Sequence, residues 1–164
     1  GKLQWLWAFV TESFAYLTIQ HSRGSKVLKN VLGAKFDGVI VCDRFSAYVK
    51  YHKDRACGLI QFCWAHILRD IKALPCVMAR GSRELLSRLV RRRVGAVFRL
   101  WHVLKRGGMS RAEFIERAQV QIDLLRAVLE DNLESDSKEV RTLCKGLLGR
   151  WASLFTFVYH EGVE

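Results

Sequence analysis

Proline is almost absent from this chain of 164 residues, which has one, Pro75, against a usual frequency of about 5%. Few segments are therefore broken by a fixed backbone, which suits long helices. Cysteine is scarce and unpaired in pattern: Cys42, Cys57, Cys63, Cys76 and Cys144 are odd in number and contain no C-x-x-C spacing. That excludes a disulfide framework and favours a reducing compartment. No apolar run approaches the roughly eighteen residues of a membrane span, and Gly1-Lys2-Leu3-Gln4 does not open a signal peptide. A soluble intracellular protein is expected. Acidic residues are also few, 16 Asp and Glu against 27 Lys and Arg, giving a net charge of +11. An excess of that size points to an anionic partner such as nucleic acid. What is plentiful is apolar surface: 50% hydrophobic and 26% charged residues exclude disorder and permit a packed core.

The charge is unevenly spread. Residues 77–109 carry nine basic residues and one acidic, whereas 110–164 carry seven and ten. Residues 1–76 read as α/β. Leu3 to Thr11 is aromatic and β-branched enough for a central strand covered on both faces, and Ala15 to Gln20 follows after a short turn as its hairpin partner. Ser25 to Leu32 has helical periodicity and stops at Gly33. Gly38 to Cys42 is a short, wholly apolar strand of the kind buried on both faces, ending at Asp43. Gly58 to Trp64 reads as a further strand, passing into a helix over Ala65 to Leu74. The order β-β-α-β-α-β-α, with no glycine-rich phosphate turn after the first strand, excludes a Rossmann arrangement. The rest reads as helix. Leu86, Val90, Val94, Val97, Trp101 and Leu104 share one face of a long helix ending at Gly107-Gly108. Ser110-Arg111-Ala112-Glu113 is a capping box. Val140, Leu143, Leu147, Trp151, Leu154 and Val158 continue at the same spacing as a last helix.

Asp43 is the leading candidate residue. A carboxylate at the carboxyl end of a strand stands where α/β sheets place ligands and can hold a divalent cation, or it serves as an N-cap or turn residue for the segment from Ser46 to Tyr51. Glu12, Asp37 and Asp54 fall in turns and loops, so no second carboxylate stands on an adjacent strand. Cys63 and His66 sit three apart at a strand-to-helix junction; zinc would need two further ligands, and a thiol–base pair a third orienting group. His66 reads more simply as a polar helix-start residue able to touch a phosphate. Trp5, Trp7, Phe9 and Phe62 read as core rather than as base-stacking platforms. Arg80, Arg83, Arg88, Arg91, Arg92, Arg93, Arg99, Lys105 and Arg106 exceed what solubility requires and are expected to contact phosphates, giving affinity rather than sequence specificity.

Five stretches, taken together and in order, resemble the DDE transposases of bacterial insertion sequences, specifically the insertion-sequence sixty-six family. They are Trp5 to Thr11; Ser22-Arg23-Gly24; Phe36 to Asp43 with Ser46-Ala47-Tyr48; Cys63-Trp64-Ala65-His66-Ile67-Leu68-Arg69-Asp70; and Leu154 to Phe157 with Gly162 to Glu164. The resemblance implies an RNase H-like mixed sheet, truncated, over residues 1–76, followed by an all-helical insertion over 77–160 and a return to the core at 161–164. It implies metal-dependent DNA strand cleavage and strand transfer by three carboxylates holding Mg²⁺ or Mn²⁺, with Asp43 as the second carboxylate and metal ligand. His66, Arg69, Arg88, Arg91, Arg92 and Arg93 are the expected nucleic-acid contacts, with Cys63 and Trp64 in supporting positions. The first aspartate of such enzymes would precede Gly1 and the final glutamate would follow Glu164; Arg44 stands where glycine is common. The expectation is a chain inactive alone that does not stably bind the metal, or a catalytically silent DNA-binding or assembly module. DNA is the expected partner, with possible self-association and no membrane, in the bacterial cytoplasm at the nucleoid.

Overall fold

The aromatic and β-branched segments of the first twenty residues do pair as a hairpin. In the computed structural model, which describes residues 1–54, 57–74 and 82–163 without the side chains of Cys57, Ser82 and Arg83, β1 (Trp5–Val10) pairs antiparallel with β2 (Ala15–Gln20). Its turn is closed by Thr11, whose N–H donates to the Phe14 carbonyl at 2.9 Å and whose hydroxyl accepts from the Phe14 amide at 3.1 Å. The register sets Trp5, Trp7 and Phe9 opposite Gln20, Thr18 and Tyr16, and sets Leu6, Ala8 and Val10 opposite Ile19, Leu17 and Ala15. Successive strand residues point to opposite faces, so the hairpin has one aromatic face and one wholly aliphatic face.

The aromatic face is the buried one. Trp7 packs with Val27 and Leu28 of α1 (Ser25–Leu32) and Ala47 and Tyr51 of α2 (Ser46–Lys53). Its indole N–H donates to the Ser22 carbonyl at 3.1 Å, which satisfies a polar group that would otherwise be costly to cover. The Tyr51 hydroxyl donates in the same way to the Gly33 carbonyl at 2.8 Å. The expectation that both faces of β1 are covered is not met: Leu6 is 68% exposed, Val10 74%, Leu17 61% and Ile19 65%. Nor is β1 central, since among the described residues its one hydrogen-bonded neighbour is β2; β3 (Phe36–Cys42) and β4 (Cys57–Phe62) form a second two-stranded sheet. Likewise β3 is not buried on both faces, with most of its residues half-covered and Val41 exposed. Apolar content records that a strand tends to be covered; the cover itself depends on which elements pack there.

The chain divides into two compact units, Gly1–Ile60 and Gln61–Glu164. The second is helical from α3 (Trp64–Lys72) onward. A 24-residue helix, α4 (Ser82–Lys105), packs along α5 (Arg111–Asp131). Leu86, Val90, Val94 and Val97 of α4, with Phe114, Ala118, Ile122, Leu125 and Leu129 of α5, are all buried, as helical periodicity requires. The capping box is formed: Ser110 Oγ accepts from the Glu113 amide, and the Glu113 carboxylate accepts from the Ser110 amide at 3.0 Å. That hydrogen bond holds the Glu113 carboxyl below its usual range.

The last helix departs from expectation by breaking. α6 (Lys138–Leu148) stops at Gly149, a short 3-10 turn covers Trp151–Leu154, and α7 (Thr156–Tyr159) follows. The cause is distant in sequence. The Gln61 side chain donates to the Leu154 carbonyl at 3.0 Å and accepts from the Phe157 amide at 3.1 Å, while the Trp64 indole donates to the same Leu154 carbonyl at 2.7 Å. Backbone groups that a continuous helix would bond internally are thus satisfied by side chains of β4 and α3. The apolar spacing still holds, because Val140, Leu143, Leu147, Leu154 and Val158 remain buried. No helix among the described residues is long and apolar enough to cross a membrane.

Candidate functional site

Asp43 follows the last residue of β3 and is half-buried. Its Oδ1 accepts from the Phe45 amide at 2.8 Å, the bond of an Asx turn that redirects the chain from strand to helix. The N-cap of α2 is Phe45, with no side-chain cap bond, so Asp43 is a turn aspartate rather than the cap itself. It borders a cavity of about 210 Å³ that it shares with Trp5, Trp7, Arg23, Phe45 and Tyr48. The Arg23 guanidinium carbon lies 4.0 Å from the Phe45 ring centre and 4.7 Å from that of Trp5. Burial raises the Tyr48 phenol above its ordinary pKa, with the Asp43 carboxylate adding to the shift and the Arg23 guanidinium opposing it. Tyr48 is consequently a neutral hydroxyl beside a carboxylate and a guanidinium.

Metal binding asks more than this corner provides. Oδ1 of Asp43 is engaged by an amide, and no group of three or more His, Cys, Asp or Glu residues gathers anywhere among the described residues. Of the other carboxylates in this unit, Asp37 lies 3.7 Å from Lys35 and Asp54 lies 2.8 Å from Lys29 and 3.4 Å from Lys50. The Lys29 hydrogen bond holds Asp54 below its usual range. Hard divalent cations take six or more oxygens, and a pair of ions needs several bridging carboxylates. One half-engaged carboxylate does not fit that demand.

The second unit contains the other expected residues, in three separate settings. Cys63 is the residue before α3, Trp64 is buried on its first turn, and His66 is half-buried with Nδ1 enclosed and without a hydrogen-bond partner. No hydrogen bond joins Cys63 to His66, so the thiol and imidazole are not arranged as a nucleophile and base. Arg69 is exposed on the last turn of α3. Arg88, Arg91 and Arg92 are exposed on α4 and share a groove of about 580 Å³ with Ser87, Glu84 and Lys72. Arg93 points elsewhere: it is half-buried, donates to the Gln121 side chain of α5 at 3.3 Å, and has its Nε enclosed. Lys105 lies over the Trp101 ring at 5.5 Å. Arg80 and the Arg83 side chain lie outside the described residues.

Two further contributors come from positions that residue spacing does not single out. Lys72 joins the arginine groove from a different helix, a proximity that its spacing from Arg88 could not reveal. Gln61, buried between β4 and the 3-10 turn, looks in sequence like one polar interruption of an apolar strand; that interruption was the available signal. Among known protein families, the model of the Transposase IS66 family matches residues 1–164. No curated protein and no solved structure matches the chain.

Proposed function

Because the chain belongs to the Transposase IS66 family over residues 1–164, we propose that it is the DNA-contacting body of an insertion-sequence DDE transposase and that this polypeptide does not cleave DNA by itself. The observation that carries the DNA contact is the groove in which Lys72 of α3 meets Arg88, Arg91 and Arg92 of α4. Four cations from two helices around one concave surface suit a phosphate backbone, and such contacts supply affinity and orientation rather than base readout. Arg69 and His66 on α3 are assigned as further backbone contacts, Cys63 and Trp64 as support for them. Arg93 was expected among the contacts, but its bond to Gln121 favours a role in holding α4 against α5.

In this reading residues 1–76 are a partial RNase H-like core, 77–160 a helical insertion and 161–164 the return to the core. A trough of about 660 Å³ between β1 and β3 supports the incomplete sheet. It is lined by consecutive residues of each strand, Ala8, Phe9 and Val10 from one and Val39, Ile40 and Val41 from the other. A groove over a sheet face meets every second residue, so consecutive ones mark strand edges. The strand that carries the first aspartate in such enzymes is assigned to this trough. Asp43 would then supply one ligand of the family's Mg²⁺ or Mn²⁺ site, with its Oδ1 already accepting from the Phe45 amide. The lack of a gathered carboxylate set among the described residues favours the silent DNA-binding or assembly module as the activity of the polypeptide alone.

The test has two parts. With Mg²⁺ or Mn²⁺ the chain should leave supercoiled DNA intact; nicking that Asp43→Asn abolishes would overturn the inactivity. Binding to a labelled duplex should weaken as salt rises, and Arg91→Ala with Arg92→Ala should reduce the salt slope by about two. Binding indifferent to both salt and these substitutions would defeat the DNA assignment.

A further inference from the structure

We propose that Arg23 is a phosphodiester-binding residue: its guanidinium, held against the Phe45 and Trp5 rings at the Asp43 end of β3, takes a DNA backbone phosphate into the cavity they share. The inference rests on the reading of the chain as a DNA-contacting transposase body and assigns one contact within it.

Position is the first argument. Arg23 stands in the turn between β2 and α1, and its guanidinium carbon lies 4.0 Å from one ring centre and 4.7 Å from the other. A guanidinium carries its five N–H donors around its perimeter, so contact with ring faces leaves those donors directed outward. The two rings also restrict a side chain that is otherwise among the most mobile, which reduces the ordering required when a ligand arrives. The second argument is the state of the donors. Among the described residues Arg23 makes no hydrogen bond and no ion pair, although Asp43 borders the same cavity. An exposed, positioned fork with its donors unused matches the two oxygens of a phosphodiester, which accept from it side by side.

Two neighbours define the ligand further. The Tyr48 hydroxyl, which burial keeps protonated, supplies a neutral donor to the same cavity. The Asp43 carboxylate opposes an anion there. Arg23 is therefore the group that makes the corner tolerable to phosphate, and removal of the Asp43 charge should strengthen phosphate binding when no divalent metal is added. A residue that merely supported the turn would not show that dependence.

The experiment uses the 164-residue chain without added metal, a fluorescein-labelled DNA duplex read by anisotropy, and dimethyl phosphate read by nitrogen–proton NMR of the indole groups. Arg23→Ala should weaken duplex binding about tenfold and lower the salt slope by about one. Arg23→Lys should restore the slope but only part of the affinity, because a point charge replaces a planar fork. Asp43→Asn should tighten binding several-fold by removing like-signed charge. Dimethyl phosphate should shift the Trp5 indole resonance in the parent chain and not in Arg23→Ala. In the absence of dimethyl phosphate, the Trp7 indole, bonded to the Ser22 carbonyl, should resonate at the same position in the parent chain and in Arg23→Ala, reporting that the hairpin and turn remain folded. If Arg23→Ala binds as the parent does while Arg91→Ala with Arg92→Ala binds weakly, the Arg23 assignment falls and the DNA reading stands. If neither substitution matters, both fall.

Discussion

Of the three cysteines whose side chains are described, Cys144 is the one that the fold removes most completely from chemistry. Buried on α6, its thiol is pushed up to about 11 by loss of solvation, so the folded chain holds this proton more tightly than the unfolded chain does. The sign follows directly. The associated stability is complete below the unfolded value of 9.0 and is lost as pH rises toward about 11, because only the unfolded thiol ionises readily there. Urea titrations across that range should show the helical signal losing stability, and iodoacetamide at neutral pH should alkylate Cys144 only once urea unfolds the helices. At this scale the sequence was informative where a residue's role is local. Asp43 could be placed at a strand end from the apolar run before it, and the Ser110–Glu113 pair could be read from its spacing. Arg23 could not be linked to Phe45, 22 positions away, nor Lys72 to Arg91, because those proximities arise only when separate elements pack.

Helix ends show the same division one level up. The stop after α4 was legible as Gly107-Gly108, and the structure gives the reason for both residues. Gly107 adopts φ of 73° and donates to the Leu104 carbonyl, while Gly108 donates to the Val103 carbonyl at 2.9 Å; together these form a Schellman cap. A Cβ on Gly108 would lie 2.8 Å from Val103 Cγ1, an overlap that neighbouring atoms must move to relieve. Gly108→Ala should therefore destabilise the helical unit by about 1–3 kcal/mol, and Gly107→Ala by about 1–2 kcal/mol through its left-handed backbone. Urea midpoints of the helical signal measure both, and unchanged midpoints would contradict the cap. The break between α6 and α7 was not legible in the same way. Gly146 and Gly149 stand within the apolar spacing of this segment, but a glycine only lowers the cost of breaking a helix. The bonds from Gln61 and Trp64 to Leu154 are what select the broken form.

Across the whole molecule, the largest gap between sequence and structure is the aliphatic face of the hairpin. Leu6, Val10, Leu17 and Ile19 lie exposed together, a contiguous apolar area on the order of the largest patches that folded chains expose, roughly 300–600 Å². An apolar dye such as ANS should bind the folded chain, and Leu6→Lys with Ile19→Lys, a directly opposed pair, should sharply reduce that fluorescence while leaving the helical signal unchanged. Dye binding that persists in the double variant would locate the patch elsewhere. The sequence by itself determined the hairpin, the order of strands and helices as far as α5, the cationic concentration over residues 77–109 and the family, since each depends on residue type and spacing along one chain. Only the tertiary structure decided which face is covered, which arginines share a groove with Lys72, and which cation stands beside Asp43. Those are distances between elements far apart in sequence, set by packing and by the need to satisfy buried polar groups, and no periodicity along the chain encodes them.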